Sequence, residues 1–180
     1  RYEIIGIPES IGVRANYGIG GTETAWWAFL KTFLNIQDNK FLTGKDIFLS
    51  GYFDFPKLEN ASIQKLRDEV ENIDTQVTDK VYETVNAGRI PIVIGGGHNN
   101  SYGNIKGTSQ ALGMPLSVIN FDAHADFRKL EGRHSGNGFS YAHSEGYLKR
   151  YAIFGLHKSY VSAFMLKSFD QTIQAQFYDD

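Results

Sequence analysis

The sequence predicts one α/β domain, a three-layer α/β/α sandwich with a mainly parallel sheet. Short apolar runs alternate with segments of helical periodicity along the chain, which is typical of this fold class. The runs Ile90–Ile94 and Leu116–Phe121 are nearly continuous in apolar or β-branched residues, as expected for strands that are covered on both faces. A length of 180 residues with 42% hydrophobic and 21% charged residues fits a single folded domain.

Local patterns predict the elements in chain order. Strands are predicted at Tyr2–Ile7, Asp46–Leu49, Ile90–Ile94, Leu116–Phe121 and Tyr151–Phe154. Thr22 is expected to cap a first helix, which has Glu23 in its first turn. The longest helix is predicted after Asn60, because apolar residues recur every three or four positions as far as Val85. Gly88 is expected to end this helix.

The composition argues against several classes of function. The net charge of −2 gives no basis for nucleic-acid binding through bulk electrostatics. The absence of cysteine excludes disulfides and cysteine-based metal sites. No stretch approaches ~20 consecutive apolar residues, so no membrane span is predicted. The segment Arg1–Ile5 has the pattern of a strand rather than of a signal peptide, and the expected location is therefore cytoplasmic.

Three metal-competent side chains, Asp122, His124 and Asp126, directly follow the predicted strand Leu116–Phe121. If strand geometry continues, these alternate residues point to one side. Carboxylates that flank an imidazole suit a divalent ion such as Mn²⁺. A solvated acidic turn is the alternative explanation for any one aspartate, but the close grouping of potential ligands favours a metal site.

A second cluster follows the strand Ile90–Ile94, where the chain reads Gly95-Gly96-Gly97-His98. The glycines permit a tight turn and place His98 at the start of the next helix. The segment lacks both the ending of a P-loop and the spacing of a dinucleotide fingerprint. Ligands of α/β sheets collect beyond the carboxyl ends of the strands, so we expect His98 to join the Asp-His-Asp cluster as a metal ligand.

Together these motifs resemble the ureohydrolase family, which includes arginases, agmatinases and formiminoglutamases. The segment Gly95–His98 is similar to the family's first metal motif, although Gly97 stands where Asp is more usual. The segment Asn120–Asp126 closely resembles the second metal motif. The segment Ser135–Phe139 is similar to the active-site loop, with Ser135 at the position of the catalytic histidine of arginases and agmatinases. The resemblance implies an arginase-like fold and assembly as a homo-oligomer.

The same resemblance implies two Mn²⁺ ions in the complete active site. His98 and Asp126 would bind one ion, His124 would bind the other, and Asp122 would bridge the two. The family's substrates are small amidines or guanidines, and two divalent ions can activate the water that attacks their central carbon. His134 is the candidate for bringing a proton to the leaving nitrogen.

Residues beyond the second motif bear on the choice of substrate. Arg128 could hold a substrate carboxylate in a two-pronged contact, with Ser135 and Asn137 as hydrogen-bonding groups at the same end of the substrate. The stretch Asp122–Arg128 and the loop at Ser135 are more like formiminoglutamases than arginases. The hypothesised reaction is therefore the cleavage of formiminoglutamate to glutamate and formamide. The alternative for Arg128 is a surface pair with Glu131.

The family's third metal motif, with its further aspartates, is not found in the sequence. Asp170, Asp179 and Asp180 do not have its spacing. We therefore expect residues 1–180 to form one arginase-like domain that is truncated at both ends, incomplete at the C-terminus and inactive by itself.

Three other functions stay open. The first is arginase or agmatinase activity, and the second is a zinc deacetylase on a similar fold. The deacetylase leaves His98 and Asp126 less well explained. The third is a catalytically degenerate relative that binds metal weakly or binds only a partner protein, which Gly97, Ser135 and the missing third motif favour.

Overall fold

Parallel strands form two three-stranded sheets in the computed structural model, which describes residues 1–178. The strands are β1 Tyr2–Gly6, β2 Ile47–Tyr52, β3 Ile90–Ile94, β4 Leu116–Phe121, β5 Leu148–Leu156 and β6 Ile173–Phe177. The α-helices are α1 Ile11–Ala15, α2 Ala25–Phe33, α3 Ile63–Asn86, α4 Asn100–Leu112, α5 Gly138–Ser144 and α6 Ala163–Ser168. The strand orders are β2-β1-β3 and β4-β5-β6, and the pairings are parallel. The predicted α/β class with a parallel sheet is confirmed.

Two of the predicted strands, β3 and β4, match the structure residue for residue. The other boundaries differ: β1 ends one residue earlier, β2 extends to Tyr52, and β5 is longer at both ends. The strand β6 is missing from the predicted set, although Ile173, Ala175 and Phe177 alternate there with two glutamines. That alternation is the usual signal of a half-buried strand.

The expectation that β3 and β4 are covered on both faces is wrong for residues 1–178. Each strand lies at an edge of its own sheet, and the two do not pair with each other in this part of the chain. Ile92 is consequently 37% exposed and Ile119 is 57% exposed. A cleft between these edges is lined by Val93 and Val118 and reaches His98. Of the candidate metal ligands, His98 therefore borders this cleft.

The start of the first long helix differs from its prediction. A 3-10 turn covers Thr22–Thr24, and α2 begins only at Ala25. Thr22 does not cap the helix, because its hydroxyl donates a hydrogen bond to the carbonyl of Glu9 at 2.6 Å. A contact between distant segments thus replaces the local cap.

The longest helix, α3, agrees with its prediction. Ser62 caps it by accepting a hydrogen bond from the backbone N–H of Lys65 at 3.2 Å. Gly88 follows its end with a φ of +73°, which a glycine adopts without strain. Its buried face packs with the first segment of the chain in a cluster formed by Ile7, Ile11, Ala15, Leu66, Val70, Ile73, Val77 and Val81. None of the helices within residues 1–178 is long and apolar enough to cross a membrane.

Candidate metal centre

The turn that carries His98 depends on two glycines at the end of β3. Gly95 and Gly96 have φ values of +89° and +75°, in the left-handed region that favours glycine. A Cβ added to Gly96 would lie 2.8 Å from the carbonyl oxygen of Ile7, so a larger residue also has no room. His98 follows in this turn, two residues before α4.

A buried carboxylate, Glu9, fixes this turn to the loop after β1. Glu9 is 3% exposed, and its Oε1 accepts hydrogen bonds from the N–H of Gly97 at 2.8 Å and from the Asn100 amide at 2.9 Å. The Asn99 amide donates to the same oxygen at 3.2 Å, and Oε2 accepts the N–H of Gly12 at 3.0 Å. Sequence reasoning missed Glu9, although a carboxylate two residues after a predicted strand was the available signal.

The packing around residue 97 accounts for its being glycine, where the family's first metal motif more usually has aspartate. The space that a side chain would need there is already filled, because a Cβ on Gly97 would lie 3.1 Å from the Val13 side chain and would also meet the Asn99 side chain. Gly97 therefore belongs to the local packing of the turn, in which no aspartate could be accommodated without movement of these neighbours.

The Asp-His-Asp cluster lies beside His98, but a turn rather than a continued strand brings it there. The strand β4 ends at Phe121, and Asp126 has a φ of +43°. The expectation that alternation along a strand would align Asp122, His124 and Asp126 is therefore wrong in its mechanism. Asp122 and Asp126 nevertheless lie in one group with His98, and His124 lies beside Asp122 outside that group.

The side chains of the cluster are arranged around Asp122. Its Oδ2 lies 3.2 Å from His98 Nδ1, and its Oδ1 lies 3.2 Å from His124 Nδ1. Asp126 Oδ2 lies 2.5 Å from the same His98 nitrogen. The potential ligand atoms of His98, Asp122 and Asp126 all fall within 4.8 Å of one another. His124 stands on the other side of Asp122, where its ring stacks on Tyr160 at 4.7 Å between centroids.

The electrostatics of this group favour a cation. Burial lowers the pKa of His98, but hydrogen bonds to Asp122 and Asp126 outweigh burial and raise that pKa to about 9. Burial raises the pKa of Asp122, yet the hydrogen bond to His98 and those to His124 lower it to about 2. The two carboxylates thus stabilise positive charge between them. An imidazole nitrogen and two carboxylates are donors that suit a divalent ion, which would have to displace the proton that His98 holds at neutral pH.

The structure does not bring His134 into this group. His134 is fully buried, its Nδ1 accepts a hydrogen bond from the N–H of Gly136 at 3.1 Å, and its Nε2 lies 3.3 Å from Glu131 Oε1. Burial and the nearby positive charge of Arg128 lower the pKa of His134 to about 4. Both ring nitrogens are engaged in the loop, so the predicted proton transfer by His134 finds no support in this arrangement.

Asn137 is also engaged within the loop. It is fully buried, its amide donates to the carbonyl of Gly132 at 2.8 Å, and its oxygen accepts the N–H of His134 at 3.0 Å. These contacts leave Asn137 as a residue that shapes the loop, and its predicted contact with substrate is not supported. Ser135 is partly exposed, and its hydroxyl lies 3.4 Å from the Asn16 amide.

Arg128, like Ser135, is a partly exposed member of the predicted substrate-binding set. Its side chain is 40% exposed, and Nη2 lies 2.8 Å from Glu131 Oε1, which is the surface pair that the sequence left as an alternative. Nη1 donates to the Asn16 oxygen at 2.6 Å. The loop after β1 therefore meets Arg128 and Ser135 through one asparagine, which sequence reasoning did not single out.

His157 lies at the rim of the same site. Its ring centroid is 4.9 Å from that of Tyr160, which stacks on His124. Its Nδ1 accepts a hydrogen bond from the backbone N–H of Ser159 at 3.2 Å.

The chain is similar to proteins of one family. The family model described as the Arginase family matches residues 4–179. A formimidoylglutamase from Hahella chejuensis is 29% identical over 163 residues, which cover 85% of this chain and 46% of the relative. An arginase from Brevibacillus brevis is 31% identical over 151 residues, which cover 80% of this chain and 48% of the relative.

A solved structure of formiminoglutamase from Trypanosoma cruzi, described as containing Mn²⁺, has a similar fold. It matches with a TM-score of 0.81 and 24% identity, over 99% of this chain and 60% of that chain. At this level of identity the likeness concerns the fold alone. The chain spans about half the length of the curated relatives that it matches.

Proposed function

Because this chain belongs to the arginase family and is most like its formiminoglutamases, we propose that it cleaves formiminoglutamate with the help of two Mn²⁺ ions. The products would be glutamate and formamide. The observation that carries the proposal is the group of His98, Asp122 and Asp126, whose ligand atoms lie within 4.8 Å of one another beyond the ends of β3 and β4. Its electrostatic preference for positive charge supports a cation site.

In this proposal the ions divide the cluster between them. His98 and Asp126 would hold one ion, His124 would hold the other, and Asp122 would bridge both. The bridging role is supported by the two oxygens of Asp122, which face different histidines. When bound, two such ions polarise a substrate and lower the pKa of water, which supplies a nucleophile near neutral pH.

These four ligands leave both coordination spheres incomplete. Asp170 is no replacement, since its carboxylate is hydrogen-bonded to Thr172 and lies near His143. Asp179 and Asp180 lie outside the described residues. We therefore predict that the 180 residues by themselves bind Mn²⁺ weakly and show no turnover. A tightly bound pair of ions in this chain alone would contradict that prediction.

Arg128 would recognise the carboxylate end of the substrate. Its guanidinium is partly exposed, and a substrate carboxylate would take over the N–H group that contacts Glu131 together with a neighbouring one that Asn16 does not use. Ser135, which lies beside Asn16, would contribute a hydrogen bond at the same end. Asn137 and His134 are not included in this proposal, because their polar atoms are taken up within the loop.

The test is a substrate panel with the full-length protein loaded with Mn²⁺. Formiminoglutamate, arginine, agmatine and guanidinobutyrate would be compared by kcat/KM, with release of formamide or urea as the readout. Preference for formiminoglutamate supports the proposal. Preference for agmatine, which has no carboxylate, would contradict both the substrate and the role of Arg128. Release of acetate from acetylated amines with Zn²⁺ would favour a deacetylase, and no turnover with any substrate would favour a degenerate relative.

A further inference from the structure

A buried arginine, Arg133, contacts the turn that carries His98 and takes no part in the proposed chemistry. It is 2% exposed, and its Nε and Nη2 donate to the Asp74 carboxylate at 2.7 and 3.2 Å. Nη2 also donates to the carbonyl of Asn99 at 3.1 Å. Nη1 donates to the carbonyl of His134 at 3.3 Å and to the side-chain oxygen of Asn137. All the N–H groups of this guanidinium therefore have acceptors inside the protein.

Two aromatic rings also lie against the guanidinium. The rings of Tyr102 and Tyr141 each have their centroid 4.9 Å from its central carbon. Such stacking stabilises a cation that has been removed from water. Because Arg133 is 2% exposed and all its N–H groups are bonded within the protein, it holds protein groups rather than a substrate.

The contacts of Arg133 join three separate parts of the chain. Asp74 belongs to α3, Asn99 directly follows His98 in the turn after β3, and His134 and Asn137 belong to the loop that precedes α5. A planar arginine fixes the relative positions of its acceptors more strictly than a lysine, because its N–H directions are rigid. One side chain thereby sets the distance between the turn that carries a metal ligand and the loop beside Arg128.

We propose that Arg133, held by Asp74, is a positioning residue that keeps the His98 turn and the 133–137 loop in register with each other. The inference rests on the proposed function insofar as His98 binds metal. Groups that orient metal ligands from behind change metal affinity about 10–100-fold when they are removed. Arg133 contacts the backbone of Asn99, next to His98, and not His98 itself. We therefore expect a change in metal affinity near the lower end of this range.

The test compares Arg133→Lys with a matched control in the full-length protein. Arg133→Lys keeps the charge but cannot reach Asp74 and Asn99 together through a planar fork. The control is Arg89→Lys, because Arg89 pairs with another buried carboxylate, Glu3 at 2.9 Å, that has no contact with the metal cluster. Asp74→Asn, which nearly preserves the volume of the side chain, serves as a second variant if the first does not fold.

Two measurements separate positioning from a merely structural role. Hydrogen exchange reports on the backbone of residues 96–101 and 133–137, and electron paramagnetic resonance of free Mn²⁺ gives the metal affinity. We expect exchange in both segments of Arg133→Lys to accelerate and Mn²⁺ affinity to fall about tenfold. Arg89→Lys should lower the urea midpoint and leave the exchange rates of both segments and the Mn²⁺ affinity unchanged.

The outcomes decide the inference separately from the proposed function. Unchanged exchange in the folded Arg133→Lys variant would overturn it, and so would an equal change in Arg89→Lys. Faster exchange with unchanged Mn²⁺ affinity would also overturn it, since Arg133 would then be structural only. If the wild-type protein binds no Mn²⁺, the proposed function fails, and the exchange measurement alone decides whether Arg133 holds the two segments in register.

Discussion

Replacement of Glu3 by glutamine should cost the domain a large part of its stability at neutral pH. Glu3 lies on β1 and is 1% exposed, with one carboxylate oxygen 2.7 Å from Lys80 Nζ and the other 2.9 Å from Arg89 Nη1. Burial raises its pKa, but the contacts with Lys80 and Arg89 outweigh burial and lower the pKa from 4.5 to about 2. The variant keeps the shape of the side chain and removes the charge.

The size and the pH dependence of the effect follow from this shift. The fall in the pKa of Glu3 from 4.5 to about 2 corresponds to about 3 kcal/mol of stabilisation at neutral pH. Because the pKa is lower in the folded state than in the unfolded state, this stabilisation is fully present above pH 4.5. It is lost as the pH falls through about 2, where the folded state also takes up the proton. The wild type and Glu3→Gln should therefore converge in stability as the solution is acidified.

Urea unfolding at pH 7 and at pH 3, followed by circular dichroism, measures both quantities. Glu83→Gln provides the control, because Glu83 is an exposed carboxylate on α3 and its replacement should change stability by less than about 0.5 kcal/mol. The reasoning would be refuted if Glu3→Gln lost less than about 1 kcal/mol at pH 7, which is the scale of an exposed pair. It would equally be refuted if the difference from wild type were the same at both pH values.

Other predictions concern the site. Asp122→Ala should lose both Mn²⁺ ions in the full-length protein, since a bridging carboxylate belongs to both coordination spheres, and metal analysis with undiminished content would contradict this assignment. Gly96→Ala should destabilise the fold by about 3 kcal/mol, because it adds a steric clash to the cost of about 1–2 kcal/mol for a left-handed backbone. Gly113→Ala, with a φ of +66° and open space around it, should show the backbone cost alone in the same urea assay. Arg128→Lys should lower kcat/KM for formiminoglutamate about tenfold with unchanged metal content, because an ammonium cannot reproduce a two-pronged contact.

The elements that local sequence determines were the ones predicted most closely. β3 and β4 have apolar sequences that end at a glycine turn and at an aspartate, so their limits could be read directly. Thr22 is a good capping residue by type, yet its hydroxyl bonds to Glu9, thirteen residues earlier. Burial of β3 and β4 was overestimated, since apolar sequence does not reveal which strands lie at the edge of a sheet.

The same contrast holds at the site. His98, Asp122, His124 and Asp126 could be found because they occupy two short motifs at strand ends. The residues that hold those motifs in place could not, because Glu9 bonds to Gly97 across 88 positions of the sequence. The orientation of a ring is equally invisible in sequence, which is why His134 was predicted to carry a proton although its nitrogens face the loop.

The contacts of Arg128 bear on the choice of substrate, because Glu131 and a substrate carboxylate would compete for its guanidinium. Its guanidinium is already paired with Glu131 at 2.8 Å, so a substrate carboxylate would replace one anion by another rather than fill a vacant positive site. The gain in binding would then be smaller than the about 1.5–3 kcal/mol of a hydrogen bond to a charged group. Glu131 also contacts His134 at 3.3 Å, so displacement of Glu131 from Arg128 would change a contact of the loop that contains His134. A substrate without a carboxylate would leave this pair intact, and discrimination against agmatine would therefore arise from the exchange at Arg128 and not from exclusion by size.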